Sequence, residues 1–351
     1  MTTSSNGMRL LICTQAVDRS DPVLGFFHRW IEELAKKYEQ VTVLCLREGE
    51  HKLPANVRVI PLRRGAARAP SFPVLLRLLQ HAWNVRGEYD TVFVHMSQEF
   101  VLGAGLLWRM LGKPVYLWRN HHAGSLLTDL AAGFCCKVFC TSQYSYTARY
   151  AKTLRMPVGI DTEYFRPDLS IERMPRAILS IGRIAPSKHI EVLVEALRIL
   201  NERSVDFTAS IYGTPTAEHA GYYTSLVEQV AAYKLQDRVS FLGAVDNREV
   251  PELANRHAVM VNMSASGMYD KTMFEALACG TPVIASNQDL KGEIDEQYLF
   301  TQGDAVMLAD RLATVLAADS IDREKLRAYV SSRHSLGSLV ERLSAIMASS
   351  C

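Results

Sequence analysis

The sequence predicts an α/β protein built from two doubly wound domains, each a parallel sheet with helices on both faces. Three observations predict it. Short apolar, strand-like runs alternate with stretches whose apolar residues recur at helical spacing, the βαβα order of a parallel sheet. That order is interrupted once, by a polar stretch at 161–175 holding Pro167 and Pro175, and it restarts at Arg176. The length, 351 residues, suits two domains of about 150 residues each.

Residues 8–14 (MRLLICT) are an apolar run ending in a polar loop and read as a strand. A helix follows over 26–38, with Phe27, Trp30, Ile31, Leu34 and Ala35 on one face. Further strands are expected at 41–46, 56–62, 91–95, 114–118, 137–141 and 157–159, with helical stretches between them. In the second half, strands are expected at 177–182, 207–212, 239–242, 258–261 and 282–285, and helices at 190–203, 224–233 and 271–278. The tail, 322–350, reads as helical and charged. The expected organisation is a first domain over 1–160, a second over 161–330, and a C-terminal helix over 331–351 packing back toward the first. Open sheets of this kind bind ligands at the carboxyl ends of their strands, and a cleft between two facing domains is the default active site.

Hydrophobic residues make up 48% and charged residues 22% of the chain, which excludes a disordered or fibrous protein. No uncharged apolar run reaches the ~18 residues of a membrane-spanning helix. The start lacks a basic segment followed by an apolar one, so no secretory leader is expected. The seven cysteines are an odd number without framework spacing and are expected reduced, in a cytoplasmic protein. Cys135, Cys136 and Cys140 do not read as a metal site, because an adjacent pair points to different sides and no second cluster completes four ligands.

The charge is unevenly spread. The whole chain is near neutral, 39 basic against 37 acidic residues, or +2. Residues 1–160 hold 20 basic and 11 acidic residues, or +9, and residues 161–351 hold 19 and 26, or −7. The stretch 51–87 carries seven basic residues and no acid, along with Phe72, Leu75, Leu76, Leu78, Leu79 and Trp83. Such a segment can lie on an anionic membrane surface, with Arg63, Arg64, Arg68 and Arg77 facing the lipid. It can equally be a solvated helix face over core leucines. A nucleic-acid partner is not expected, because no helix-turn-helix, zinc-finger or RNP-like motif accompanies the charge.

Two loops carry candidate chemistry. Gly182-Arg183-Ile-Ala-Pro-Ser-Lys188 lies between a strand and a helix, where two cations five residues apart can reach one diphosphate. Residues 264–286 run from a glycine-containing loop into a helix and then to Gly280-Thr-Pro282 and a strand. The N–H groups at that helix start favour an anion, Asp270 is placed to cap it, and Glu275 lies one turn in, where a carboxylate can accept from paired hydroxyls. A dinucleotide fingerprint is missing: Gly103-Ala-Gly105 is followed by Trp108 where the third glycine belongs, and there is no P-loop.

Taken in order, Gly182-Arg183…Lys188, Tyr212-Gly213, Phe241-Leu-Gly243 and Glu275-Ala-Leu-Ala-Cys-Gly-Thr-Pro-Val-Ile-Ala-Ser286 resemble the C-terminal half of family 4 glycosyltransferases, whose fold is GT-B. Pro157-Val-Gly-Ile-Asp-Thr-Glu-Tyr-Phe-Arg-Pro167 resembles the family's interdomain segment. The resemblance implies retaining transfer of a sugar from a UDP- or GDP-sugar to a glycan or lipid-linked acceptor, in cell-surface polysaccharide or glycolipid synthesis, by a protein in the cytoplasm or on the inner face of the membrane. Arg183 and Lys188 would hold the diphosphate and stabilise the leaving group. Gly182, Gly213, Gly243, Lys271 and Thr272 would line the donor site, and Glu275 would hold the ribose. No Asp-x-Asp triplet occurs, so no metal and no cofactor beyond the donor substrate is expected.

One position departs from the family pattern, which carries two glutamates eight positions apart. Gly267 stands at the first of them, in a Ser-Gly-Met-Tyr-Asp-Lys run that resembles a sub-branch, with Asp270 contacting sugar hydroxyls instead. In the first domain, the loop from Asp21 to His28 matches the place where the family brings a glycine, here Gly25, to the donor phosphates. Trp118-Arg-Asn-His121-His122 resembles the strand end carrying the family's cleft histidine, which makes His121 the residue that touches the donor sugar. His28, Glu99 and His122 are candidates for the acceptor. Two alternatives stay open: a sugar-nucleotide epimerase on the same fold, and a non-catalytic partner that kept the fold, prompted by Gly267.

Overall fold

The computed structural model describes residues 7–21, 23–63, 72–267 and 269–349. Two of the membrane-facing candidates, Arg64 and Arg68, lie outside the described residues. The chain divides into two compact units, residues 1–159 with 336–351, and residues 160–335.

The first unit begins with β1 (Arg9–Val17), α1 (Gly25–Ala35), β2 (Gln40–Glu48), β3 (Val57–Pro61), α2 (Phe72–Asn84) and β4 (Thr91–His95). It continues with α3 (Gln98–Met110), β5 (Val115–Trp118), α4 (Leu126–Phe134), β6 (Lys137–Cys140) and β7 (Thr153–Arg155). The second contains β8 (Met174–Ile181), α5 (Ile190–Glu202), β9 (Thr208–Tyr212), α6 (Ala220–Ala232), β10 (Val239–Phe241) and α7 (Val250–Arg256). It ends with β11 (His257–Asn262), α8 (Lys271–Ala278), β12 (Val283–Ala285), α9 (Ala305–Leu316) and α10 (Arg323–Arg333), after which α11 (Leu336–Ala348) belongs to the first unit.

The strands order as β3-β2-β1-β4-β5-β6-β7 in the first sheet and β10-β9-β8-β11-β12 in the second, and each strand pair is parallel. Both sheets therefore reverse direction once, between β1 and β4 and between β8 and β11. A crevice opens at such a switch point, which is where open α/β sheets take their ligands.

Burial on both faces explains why the central strands read as continuous apolar runs. Two cores flank the first sheet. One packs α1 and α11 against it through Phe27, Trp30, Leu34, Leu339 and Leu343, and the other packs α2, α3 and α4 through Leu78, Phe100, Trp108 and Ala131. The Trp30 indole donates to the Gly159 carbonyl at 3.1 Å, which ties α1 to the end of this unit's long N-terminal portion.

Several expectations are corrected. Residues 157–159 form no strand. Met156, Val158 and Ile160 are buried, Ile160 makes only an isolated bridge to Ser335, and the edge strand lies four residues earlier at β7. The helical tail is two helices, α10 and α11, broken at His334-Ser335, and the two fall in different units. Cys13, Cys45, Cys135, Cys140 and Cys279 are free and buried, whereas Cys136 is disulfide-bonded, so the all-reduced reading fails at that position. Among the described residues no helix is long and apolar enough to cross a membrane.

Candidate active site at the strand carboxyl ends

The switch point of the second sheet gathers the residues of the two candidate loops. The loop after β8 supplies Gly182, Arg183 and Lys188, and the loop after β11 supplies Ser264, Gly267 and Asp270 at the start of α8. Backbone packs tightly on the neighbouring strand ends. A Cβ built on Gly213 would sit 1.8 Å from the Gly182 carbonyl oxygen, and Gly213 N–H donates to the Gly243 carbonyl at 2.6 Å. Glycine is thus required at 213 for three strands to end side by side without side chains between them.

Lys188 and Asp270 form an ion pair whose side chains are only 18% and 17% exposed. The pair is fully bonded. Lys188 Nζ also donates to Ser264 Oγ at 3.0 Å. The Asp270 carboxylate accepts from Asn262 Nδ2 at 3.1 Å, Ser264 Oγ at 3.3 Å and Thr272 Oγ1 at 3.0 Å. Burial alone would raise the Asp270 pKa, but the Lys188 charge and hydrogen bond, with those from Asn262 and Thr272, hold it below the ordinary carboxylate value. Asp270 occupies the N-cap position of α8 yet caps no backbone N–H, which corrects the capping expectation. Its carboxylate holds Lys188 and Thr272 in place. Arg183 differs: it is exposed, and its guanidinium makes no hydrogen bond or ion pair among the described residues.

Lys271 and Glu275 stand one turn apart on α8. Burial lowers the Lys271 pKa and raises that of Glu275, each partly offset by the charge of the other. The Glu275 carboxylate makes no hydrogen bond among the described residues, so its oxygens can accept from a pair of hydroxyls. Gly267 has φ +95°, a conformation that side chains rarely adopt. Its N–H donates to Asp289 Oδ2 at 3.3 Å, and Gln288 N–H donates to Ser266 Oγ at 2.8 Å, which stitches this loop to the segment after β12. The loop is therefore shaped around glycine and is more than a glutamate site with its side chain removed.

In the first unit, Gly25 opens α1, and its N–H donates to the Asp21 carbonyl at 2.9 Å. Asp21 organises the turn: Oδ1 accepts from the N–H groups of Val23 and Leu24 at 2.9 and 2.8 Å, and the carboxylate pairs with Arg47. His28 is buried. Its Nε2 accepts the Lys52 N–H at 3.1 Å and its Nδ1 faces Glu32 at 3.4 Å. Burial lowers its pKa. Both ring nitrogens of His28 are thus engaged inside the fold. Glu99, at the start of α3, accepts from Ser97 Oγ at 2.6 Å.

His121 and His122 follow β5 and stack with ring centroids 4.5 Å apart. Ala123 N–H donates to His121 Nδ1 at 2.9 Å. The same Nδ1 lies 3.2 Å from the Ala123 carbonyl oxygen, so the contacts with Ala123 fit either tautomer, and burial lowers the His121 pKa, as do the charges of His122 and Arg119.

Sequence reasoning missed two sets of residues. Asn262 and Ser264 complete the Lys188–Asp270 network; their signal lay in the polar residues that end β11. Gln98, Arg119 and Thr141 end three adjacent strands or begin the loops beyond them, and no linear spacing links them. The outer face of the α2, α3 and α4 layer also exposes large apolar side chains: Phe72, Leu76 and Trp83, then Leu106 and Met110, then Leu126 and Leu130.

The two doubly wound units are those of a GT-B protein. Residues 161–333 match the family described as glycosyl transferases group 1, which spans nearly all of the second unit. Among proteins of similar sequence, the putative colanic acid biosynthesis glycosyltransferase WcaL of Escherichia coli (strain K12) is 28% identical over 261 residues, covering 70% of this chain and 59% of that protein. The phosphatidyl-myo-inositol mannosyltransferase of Mycobacterium leprae (strain TN) is 24% identical over 336 residues, covering 88% of this chain and 87% of that protein. The Anabaena Alr3699/HepE structure in complex with UDP and glucose superposes with a TM-score of 0.75 at 19% identity, covering 98% of this chain and 100% of that one. Three curated relatives are matched over 59%, 26% and 26% of their own lengths. The second unit is thus similar to the group 1 glycosyltransferases over residues 161–333, and the chain as a whole has the GT-B fold.

Proposed function

We propose that the protein is a retaining, metal-independent glycosyltransferase that moves a hexose-like unit from a UDP- or GDP-sugar to a glycan or lipid-linked acceptor, in polysaccharide or glycolipid synthesis. The observation that carries this reading is the switch point after β8 and β11, where the unpaired Arg183 guanidinium, the Asp270-held Lys188 and the unbonded Glu275 carboxylate meet on a glycine-lined edge. A cation fixed in a largely buried network stabilises charge that develops on a leaving diphosphate, without reorganising during the reaction. In the proposed step, the bond from the sugar C1 to the diphosphate oxygen breaks and the acceptor oxygen bonds C1 on the same face. The acceptor proton passes to the departing phosphate. Arg183 and Lys188 neutralise that phosphate, the start of α8 with Lys271 and Thr272 lies beside it, and Glu275 accepts from the ribose hydroxyls. Gly25 and His121 are assigned to the donor phosphates and donor sugar. The relatives named for colanic acid synthesis and for mannosylation of a phosphatidyl-inositol support an acceptor that is a glycan or a lipid.

The membrane component of the proposal rests on the apolar outer face of α2, α3 and α4, flanked by Arg77, Arg86 and Arg109. Basic and apolar groups together suit an anionic bilayer. Co-sedimentation with anionic liposomes should be lost when Leu106, Met110 and Arg77 are changed to Ser; unchanged binding sinks this component and leaves the transfer reaction standing.

A thermal-shift screen against UDP, GDP, ADP and CMP, with and without EDTA, tests the donor site. A ligand at a hundredfold excess over its dissociation constant adds about 2.7 kcal/mol to the folded state. One diphosphate should shift the midpoint, with EDTA making no difference and Arg183→Ala abolishing the shift. A shift by no nucleotide favours the non-catalytic reading, and product formed from the nucleotide sugar alone favours the epimerase.

A further inference from the structure

Three buried polar atoms without a hydrogen-bond partner lie on consecutive strand ends of the first sheet: Gln98 Oε1 beyond β4, Arg119 Nη1 directly after β5, and Thr141 Oγ1 directly after β6. Buried polar groups are nearly always bonded, so a group of three calls for an explanation. Arg119 is the most demanding of them. Its backbone is fixed by Arg119 N–H donating to the Phe139 carbonyl at 2.9 Å and by Thr147 Oγ1 donating to the Arg119 carbonyl at 3.0 Å. Its guanidinium has no ion pair among the described residues. The carboxylate that acts on it at a distance, Glu99, is bonded instead to Ser97. Burial disfavours its charge, and the His121 ring, stacked on His122, has its own charged form disfavoured in part by Arg119.

A half-buried guanidinium with no bonded counter-ion among the described residues, at the carboxyl ends of parallel strands, fits an oxyanion. We propose that Arg119, with Thr141 and the His121–His122 pair, binds a phosphate group of the acceptor, and that Gln98 Oε1 accepts from a hydroxyl beside that phosphate. A phosphate fits better than a carboxylate because its additional oxygens can meet the guanidinium fork, the Thr141 hydroxyl and a ring N–H at once. Glu99, two residues before Val101 on the same helix start, then lies beside the phosphate to accept from an acceptor hydroxyl. The inference rests on the glycosyltransferase reading and adds to it the chemical class of the acceptor: a phosphorylated or diphosphate-linked glycan.

The test uses the full chain with its donor site filled by UDP, whose binding is measured on the same samples. Pyrophosphate, methyl phosphate and glucuronate are titrated by calorimetry against the wild type, Arg119→Gln and Arg119→Lys. A phosphate probe should bind the wild type at one site, and Arg119→Gln should weaken it by at least about tenfold, the order of loss expected for one charge-assisted contact. Arg119→Lys should recover part of the loss, and UDP binding should be equal in all three proteins. Pyrophosphate tighter than methyl phosphate would point to a diphosphate linkage, and the reverse to a monoester. Equal phosphate binding in Arg119→Gln, or glucuronate tighter than both phosphates, overturns the proposal. Should Arg119→Gln not fold, the ring resonances of His121 and His122 in the wild type decide: pyrophosphate should raise the His121 pKa, and unmoved resonances overturn the proposal. Failure of UDP to bind counts against the glycosyltransferase reading alone.

Discussion

The two sheets end in sites of opposite character. After β8 and β11 the buried Lys188–Asp270 pair is already answered, Lys188 by Asp270 and Ser264, and Asp270 by Lys188, Asn262, Ser264 and Thr272, while the exposed Arg183 and the Glu275 carboxylate stay open. After β4, β5 and β6, Gln98, Arg119 and Thr141 keep buried atoms without partners. A network that is complete before ligand binds holds its cation in one place, which suits a diphosphate that every donor of this kind shares. A set of unpaired groups is left for a partner from outside, which suits the side of the reaction that differs from one enzyme to the next. On the function proposed above, fixed geometry in one unit and unmet valence in the other would be the physical form of donor constancy and acceptor variety on one fold.

The comparison is broken most severely at Lys188. Lys188→Ala leaves the Asp270 carboxylate largely buried without its counter-ion, and removing one member of a buried pair costs on the order of 3–5 kcal/mol. Turnover should fall by about 10²–10³-fold through loss of the charge facing the leaving group, and the melting temperature should fall as well. The double variant Lys188→Met, Asp270→Leu should regain the melting temperature but not the turnover. Recovery of activity in the double variant would show that the network, rather than the cation, serves the reaction. The pair also fixes a sign. The Asp270 pKa is held below its ordinary value, so its stabilisation is present above about pH 4 and is lost as pH falls below that.

A second effect sits behind α8. His334 packs against Phe274 of that helix at 4.7 Å between ring centroids, and its Nε2 lies 3.1 Å from the Tyr329 hydroxyl. Burial, with a smaller contribution from the Arg333 charge, lowers its pKa to about 4. A histidine neutral in the fold takes up a proton on unfolding at any pH between its folded value and about 6.5. Stability should therefore fall as pH drops from about 6.5 to about 4, by up to roughly 3 kcal/mol. Urea unfolding of the wild type and His334→Gln at pH 7 and pH 5 checks this, since the variant should lose most of that slope. An equal slope in both would move the effect elsewhere.

Gly267 sharpens the comparison from within the donor loop. Restoring the glutamate that the family pattern carries there should not restore a family site, because the backbone at 267 holds φ +95°, which favours glycine. Gly267→Glu should cost about 1–3 kcal/mol, the order of a residue forced into a sparsely populated backbone region, and should lower turnover. A stable, more active Gly267→Glu variant would mean that the loop adapts to the side chain.

The two sites also differ in how far the sequence disclosed them. The donor site was legible because its residues lie in two short runs, 182–188 and 264–275, so that linear spacing carries the three-dimensional arrangement. Even there the sequence left open what Asp270 does, since capping a helix and holding Lys188 call for the same residue at the same place. The alternation of strands and helices in both units followed from apolar runs and helical periodicity; the strand order did not. The false strand at 157–159 arose because residues 156–160 form a short, wholly buried run, which reads like a strand although residues 157–159 pair with none. The site in the first unit was illegible for a different reason. Gln98, Arg119 and Thr141 are about twenty residues apart in sequence, and only parallel pairing of β4, β5 and β6 brings them level. Their importance, moreover, lies in the bonds they lack, and a sequence does not record a missing partner.

That contrast yields the smallest predicted effect and the one that most directly tests it. A cation held in a completed network stabilises the fold, whereas a half-buried cation with no partner is a burden on it. Arg119→Met keeps most of the side-chain volume and removes the unanswered charge, so it should raise the melting temperature, by the equivalent of about 1 kcal/mol. Lys188→Met, the same kind of change in the other unit, should lower it. Opposite signs from matched substitutions would establish that the first unit gives up stability to keep Arg119 available for a ligand. A lower melting temperature for Arg119→Met would mean that the guanidinium is already satisfied in the folded protein, and the distinction between a completed and an open site would fall with it.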